Sequence, residues 1–297
     1  MKTFYPKDLS TAAAQNILQS VVVPRPIAFA STVDKAGNAN LSPFSFFNMF
    51  SANPPILIFS PSRKVRDNST KHTLQNVLEV PEVVIHMVSF DRVEQMSLAS
   101  TEYPKGVSEF EKAGLTPVHS ELVTPPRVKE AAVAMECRVN EVKALGTAGG
   151  AGNLVICEVI AIHMHEAILD EKGLIDPLKL NPVARLGGAW YSRVIPDSLF
   201  QIAKPLANLG IGVDRIPVEI RNSPILTGNN LGRLGSVTAL PTEMEIETLS
   251  RSAEIQEMRL RFKNDLESWV DHLHLRAKEE LENGNLLLAW TYLLQKH

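Results

Sequence analysis

Two long β-type runs face each other across a short glycine-rich gap, and this pair constrains the chain more than any other feature. Val133 to Leu145 alternates Val133, Met135, Cys137 and Val139 against Glu136, Arg138 and Asn140. That is the period of two expected of a strand with one wet face. Asn153 to His165 is β-type again, after Gly146-Thr147-Ala148-Gly149-Gly150-Ala151-Gly152. The glycines fit neither G-x-G-x-x-G nor G-x-x-x-x-G-K-[ST], and no helix pattern follows them, so they read as a hairpin loop and not as a phosphate loop. A dinucleotide-binding Rossmann domain is disfavoured on the same ground.

Shorter strands surround this hairpin. Ile27 to Val33 is closed by Asp34-Lys35-Ala36-Gly37-Asn38, a hairpin-type turn. Asn40 to Phe50 follows, then Ile56 to Ser60 after the Pro54-Pro55 break, then Val83 to Val88. Helices are expected at Thr70–Glu79 and at Asp91–Ala99, the second with Asp91 as N-cap and Glu94 three residues on. Strands joined by hairpins with a few helical inserts imply an antiparallel sheet or barrel, mainly β with α.

The pattern changes near residue 240. From Pro241 to His297, 7 Lys/Arg and 11 Asp/Glu occupy 57 positions, with one Pro and one Gly. Met258, Phe262, Leu266, Trp269, Val270, Leu273 and Leu281 recur mostly in steps of three and four, the stripe of a helix. Asn283-Gly284 is a stop signal, and Leu286 to Leu294 reads as a second helix. The expected division is residues 1–200 as a β domain and 201–297 as an extension, helical from about 243.

Composition removes several classes. No apolar run approaches the ~18–20 residues of a membrane helix. The start, Met1 to Pro6, lacks a signal peptide's apolar segment, and two cysteines cannot build a disulfide framework. A net charge of −3 gives no global reason to bind nucleic acid or an anionic membrane. A cytoplasmic globular protein is expected.

One segment departs from that charge. Arg63, Lys64, Arg66 and Lys71 against Asp67 give a local +3, with hydroxyls at Ser60, Ser62, Ser69, Thr70 and Thr73. A helix start near Ser69 or Thr70 would add free N–H groups and a positive dipole end. The segment reads either as a phosphomonoester site or as a basic, solvated loop with a Ser/Thr cap. Pro43-Phe44-Ser45-Phe46-Phe47-Asn48 reads either as core or as a strand flanking a flat heteroaromatic ligand. Cys137, Cys157 and His86 read as buried strand residues, and His163 with His165 as neighbours on one face without a ligand set.

The ordered motifs resemble a known family. They are Pro24-Arg25-Pro26-Ile27-Ala28, Ser31-Thr32-Val33-Asp34, Asn40-Leu41-Ser42-Pro43-Phe44-Ser45-Phe46-Phe47-Asn48, Asn53-Pro54-Pro55, Ser60 with Arg63-Lys64, and Lys71-His72-Thr73-Leu74 with Asn76. Tyr103-Pro104, Gly106-Val107, Glu109-Phe110, Ala113 to Pro117, Pro125 to Val128 and Arg185 to Tyr191 complete the series. Across residues 15 to 195 the chain resembles the flavin reductase-like, FMN-binding split-barrel family, in its flavoredoxin-type branch.

The resemblance implies a six-stranded antiparallel split barrel, a homodimer, and FMN as cofactor. It implies flavin reduction with NADH or NADPH as hydride donor, or, alternatively, electron transfer from a redox protein partner through bound flavin. Carried over by position, Ser60, Arg63, Lys64, Thr70, Lys71 and Thr73 would hold the phosphate and ribityl chain. Ser45 and Asn48 would line the isoalloxazine edge, Arg25 and Pro26 would lie near the ring, and Trp190 and Tyr191 would cover the flavin or the partner's site. His72 stands where many relatives carry an acid, which puts phosphate affinity in question but not its place.

Overall fold

The structure, a computed structural model, describes residues 1–202 and 209–297. It divides into two compact units, Met1–Phe200 and Gln201–His297.

The first unit is built on strands β1 (Ala28–Val33), β2 (Ala39–Phe44), β3 (Phe47–Ala52), β4 (Pro55–Phe59), β5 (Glu82–His86), β8 (Val133–Ala144) and β9 (Asn153–Met164), with short ladders β6 (Pro117–Val118) with β7 (Arg127–Val128) and β10 (Val183–Arg185) with β11 (Tyr191–Arg193). Its helices are α1 (Thr11–Val21), α2 (His72–Glu79), α3 (Val93–Leu98), α4 (Glu109–Ala113) and α5 (Pro177–Leu180). One antiparallel sheet runs β2-β1-β5-β8-β9-β4-β3. It has seven strands where six were expected, because Asn40 to Phe50 does not form one strand. Ser45 and Phe46 break it into β2 and β3. Those two strands are the two edges of the sheet, yet only two residues join them, so the sheet must curl back on itself. This is how a sheet of this order closes toward a barrel.

Burial follows the alternation of side chains. Every residue of β1 is buried. Ala28 and Ala30 join Phe44, Leu57, Phe59, Leu74, Val77, Val83, Ile85, Cys137 and Cys157 on one side. Ile27 and Phe29 face the other, against Met96, Phe110, Val128 and Val183. The β1–β2 turn forms because the Asp34 carboxylate accepts bonds from the Ala36 and Asn38 backbone N–H groups, with Gly37 at φ 85°. The β8–β9 hairpin closes through the glycine-rich loop as expected.

Three local expectations are corrected. Glu136 is fully buried, not on a wet face: the strand alternates as expected, but the segment Glu121 to Val123 covers the face that Glu136 shares with Ala134 and Val84. Its carboxylate accepts from the Glu121 N–H (2.8 Å) and the Leu122 N–H (2.6 Å) and lies 2.7 Å from His163 Nε2. The helix expected from Thr70 starts at His72, because Ser69 bonds Asp67 and Asn68 takes φ 59°, which holds the chain in a turn. Asp91 caps nothing. It lies in a 3-10 turn, and α3 begins after Arg92.

The second unit contains α6 (Val218–Arg221), α7 (Gly228–Leu234), α8 (Glu243–Ser250), α9 (Ala253–Arg261), α10 (Leu266–Glu282) and α11 (Leu286–Leu293). Helical turns therefore begin before residue 243. The expected single stripe is two helices, since Asp265 caps a new one by accepting from the Ser268 N–H (3.0 Å). Gly284, at φ 84°, follows the end of α10. Ile216, Ile220, Leu234, Ile255, Trp269, Leu281 and Trp290 form this unit's own core. Among the described residues no helix is long and apolar enough to cross a membrane.

Candidate functional site

The basic segment lies between β4 and α2, where the chain leaves the sheet. Lys71 is the N-cap of α2, and its side chain accepts no capping bond. The positive end of the helix is therefore not satisfied by its own cap. Lys64, Thr70, Lys71 and Thr73 line one cleft of about 170 Å³ with Asn40, Ser42, His72, Glu102 and Glu109. Lys71 Nζ sits 5.1 Å above the centre of the Phe44 ring. Burial, and then the like charge of Lys64, push the Lys71 ammonium below the usual lysine range, against the pull of Glu102. Thr73 is buried and donates to Asn40 Oδ1 at 2.7 Å, while Asn40 Nδ2 donates to Glu109 at 2.8 Å. This relay fixes the floor of the cleft.

Arg63 is held differently. Its N–H donates to Ala151 O at 2.8 Å, and its carbonyl accepts from the Gly150 N–H at 2.9 Å. Arg63 Nη1 donates to Asn68 O at 2.9 Å, whereas Arg63 Nε is buried with no hydrogen-bond partner among the described residues. A guanidinium N–H left so costs stability unless something accepts it. The glycine-rich loop is thus the backing of the basic segment, a contact that loop composition alone did not reveal. A Cβ at Gly149 would stand 3.0 Å from both Lys64 O and Val65 O, and one at Gly152 would stand 2.7 Å from Ser60 Oγ. Only glycine lets the two strands of chain approach this closely.

A second group of candidates gathers around Arg25, which is buried. Its guanidinium donates to the carbonyls of Gln19, Val22 and Leu186 and reaches Ser45 Oγ at 3.4 Å. Its backbone exchanges bonds with Arg185, whose guanidinium lies 4.5 Å over the Tyr191 ring. Arg25 and Phe46 line an apolar groove of about 570 Å³ with Leu9, Leu18, Val22 and Gly150. Gly150 also bonds Arg63, so the groove and the basic segment share a wall. Pro26 is half-buried beside Arg25.

Not every candidate converges. Asn48 is exposed on edge strand β3 and bonds the next N–H, that of Met49. Trp190 is 77% exposed on the β10–β11 turn. Asn40, Glu102, Glu109 and the Gly149–Gly150 pair belong to the site but were not singled out as binding groups. The sequence signal for Asn40 and Glu109 was their place in the ordered motifs, and for Glu102 there was none.

Comparison with known proteins places this fold. Residues 20–180 match the model of the flavin reductase like domain. An uncharacterised protein of Aquifex aeolicus is 37% identical over 199 residues, which is 67% of this chain and 99% of that protein. Nitrilotriacetate monooxygenase component B from Bacillus cereus is similar in structure, with TM-score 0.63 and 32% identity over 68% of this chain and 98% of that one. A putative flavin reductase with a split barrel domain from Shewanella frigidimarina gives TM-score 0.57 and 26% identity over 68% of this chain and all (100%) of that one. Fold, curled sheet and matched length agree, and the chain belongs to the flavin reductase-like family.

Proposed function

We propose that the first unit binds FMN and reduces it with NADH or NADPH, acting as a homodimer in the cytoplasm. The observation that carries the reading is Arg63 Nε, a buried cationic N–H without a partner among the described residues, in a segment that also presents Lys64, Lys71 and the uncapped end of α2. That donor set suits a phosphate dianion, which accepts several charge-assisted bonds at once. Family membership and the similarity to the Shewanella putative flavin reductase support flavin as the group that carries it. The adjoining apolar groove beside Phe46 and Arg25 suits a flat ring.

Bound flavin would supply the two-electron acceptor. The chain's residues do the rest. Arg63, Lys64, Thr70 and Lys71 would anchor the phosphate, with Ser60 and Thr73 shaping the wall beside it. Arg25, fastened to three carbonyls, would hold Ser45 and the start of β1 in place. Hydride transfer needs no general acid or base, and none is assigned. Leu18, Val21 and Val22 of α1 and its C-cap, with Phe46, Met49, Phe50 and Trp190, are exposed apolar side chains that suit a second copy of the chain.

Reconstitution tests the reading. Protein mixed with FMN should leave a sizing column yellow, and stopped-flow mixing with NADH or NADPH should bleach the flavin within seconds. A colourless protein sinks the flavin assignment. A yellow protein that only a redox protein reduces is the electron carrier instead.

A further inference from the structure

Glu102 is a charged side chain of the cleft to which the flavin reading gives no task. It lies between α3 and α4 and lines the wall shared by Lys64, Thr70 and Lys71. Its Oε2 stands 3.1 Å from Lys64 Nζ and also contacts Arg66 Nη2. These ion pairs hold its carboxyl below the usual range, the Lys64 bond most of all.

The neighbouring acids are engaged in the fold. Glu109 accepts from Asn40 Nδ2 and the Leu41 N–H, and Asp67 accepts from the Ser69 N–H and hydroxyl as well as from Arg66 Nε at 3.1 Å. Glu102 differs. Its hydrogen bonds and ion pairs among the described residues go only to Lys64 and Arg66. Among the described residues no backbone group bonds to it, and its side chain is 48% exposed, so it can leave without unmaking the fold. Its two partners are cations of the segment assigned to the phosphate. A carboxylate and a phosphate compete for the same N–H donors, and at a few ångströms they repel.

We propose that Glu102 is a displaceable internal counter-ion that holds Lys64, and shares Arg66 with Asp67, until a flavin phosphate takes its place, and so sets how strongly the cleft prefers FMN to riboflavin. The inference rests on the flavin reading. Removing the charge removes the competition, so phosphate-bearing flavin gains and phosphate-free flavin does not.

Flavin fluorescence titrations on the full chain test this with FMN and riboflavin, for wild type, Glu102→Gln and Glu102→Ala. Both variants should bind FMN roughly 5-fold tighter at low salt, with riboflavin changed by less than about 2-fold. The gain should shrink at about 0.5 M salt. FMN affinity unchanged or weakened in both variants overturns the role of Glu102, while the flavin reading stands. If wild type binds neither flavin, the flavin reading fails and takes this inference with it.

Discussion

Arg25 and Arg63 carry the same guanidinium into opposite surroundings. Arg25 gives its N–H groups to the Gln19, Val22 and Leu186 carbonyls, so it clamps the end of α1 and the chain after β10. Arg63 keeps a buried Nε with no acceptor among the described residues. Under the flavin reading, Arg63→Ala and Lys71→Ala should each weaken FMN by about 1.5–3 kcal/mol and riboflavin much less. Equal loss for both flavins in a titration would put the phosphate elsewhere. Sequence placed both arginines in the site because motif position does not report what a side chain donates to. His86 was legible as a buried strand residue, but its two partners were not. Its Nδ1 lies 2.8 Å from Phe29 O, and its Nε2 accepts from the Val128 N–H at 2.9 Å. Burial pushes its imidazolium down to about 4 from 6.5. The folded state therefore binds fewer protons than the unfolded chain between those values. The stability that His86 contributes is fully present above about pH 6.5 and is lost as pH falls toward 4, at up to ~1.4 kcal/mol per pH unit. Imidazole NMR near pH 5.5 should show His86 neutral with its proton on Nδ1. A titration midpoint at 6 or above would contradict this.

At the scale of elements, the long hairpin was the most legible part of the chain. Expected bounds of 133–145 and 153–165 compare with Val133–Ala144 and Asn153–Met164. Strand periodicity of this length leaves few alternatives. The errors came where a contact outweighed the pattern: the Glu121–Val123 segment that covers Glu136, the Ser45–Phe46 break that makes β3, and the Asp67–Ser69 turn that delays α2. The loop between the two long strands is the clearest case of a correct local reading with an unseen partner. It is a hairpin loop, and it also presses on Lys64 and Val65. Gly149→Ala would set a methyl against two carbonyl oxygens that cannot rotate away, so the Arg63–Val65 backbone must shift. FMN affinity should fall about 10-fold or more, while Gly228→Ala, where a Cβ meets nothing within 4 Å, should leave it unchanged. Titration of both variants with FMN checks the pair. Equal affinities would mean that the loop does not position the basic segment.

At the scale of the whole molecule, the apolar clusters divide between two compact units, those around the sheet in the first and that of the helices in the second. All candidate flavin residues, from Arg25 to Tyr191, lie within Met1–Phe200. The helical unit has its own buried centre, with Trp290 Nε1 donating to Leu234 O at 3.1 Å and Arg276 joined to Glu254, Glu279 and the Tyr292 hydroxyl. The helix stripe after residue 240 was readable, but its share of the core was not. Ile216, Ile220, Leu226 and Leu234 pack in the same cluster as Trp290 and precede any strong periodicity. A cut at Pro241 would separate those side chains from the helices they cover and expose several large apolar groups, at a cost of several kcal/mol. A cut after Phe200 severs none of these clusters. Residues 1–200 should therefore fold, bind FMN within about 3-fold of the full chain and keep its FMN-over-riboflavin preference, because the anchoring contacts are local to this unit. Residues 201–297 should show helical circular dichroism with a cooperative melt, whereas 241–297 should melt without cooperativity. If 1–200 binds no FMN while the full chain does, the helical unit is part of the flavin site and the division of labour between the two units is wrong.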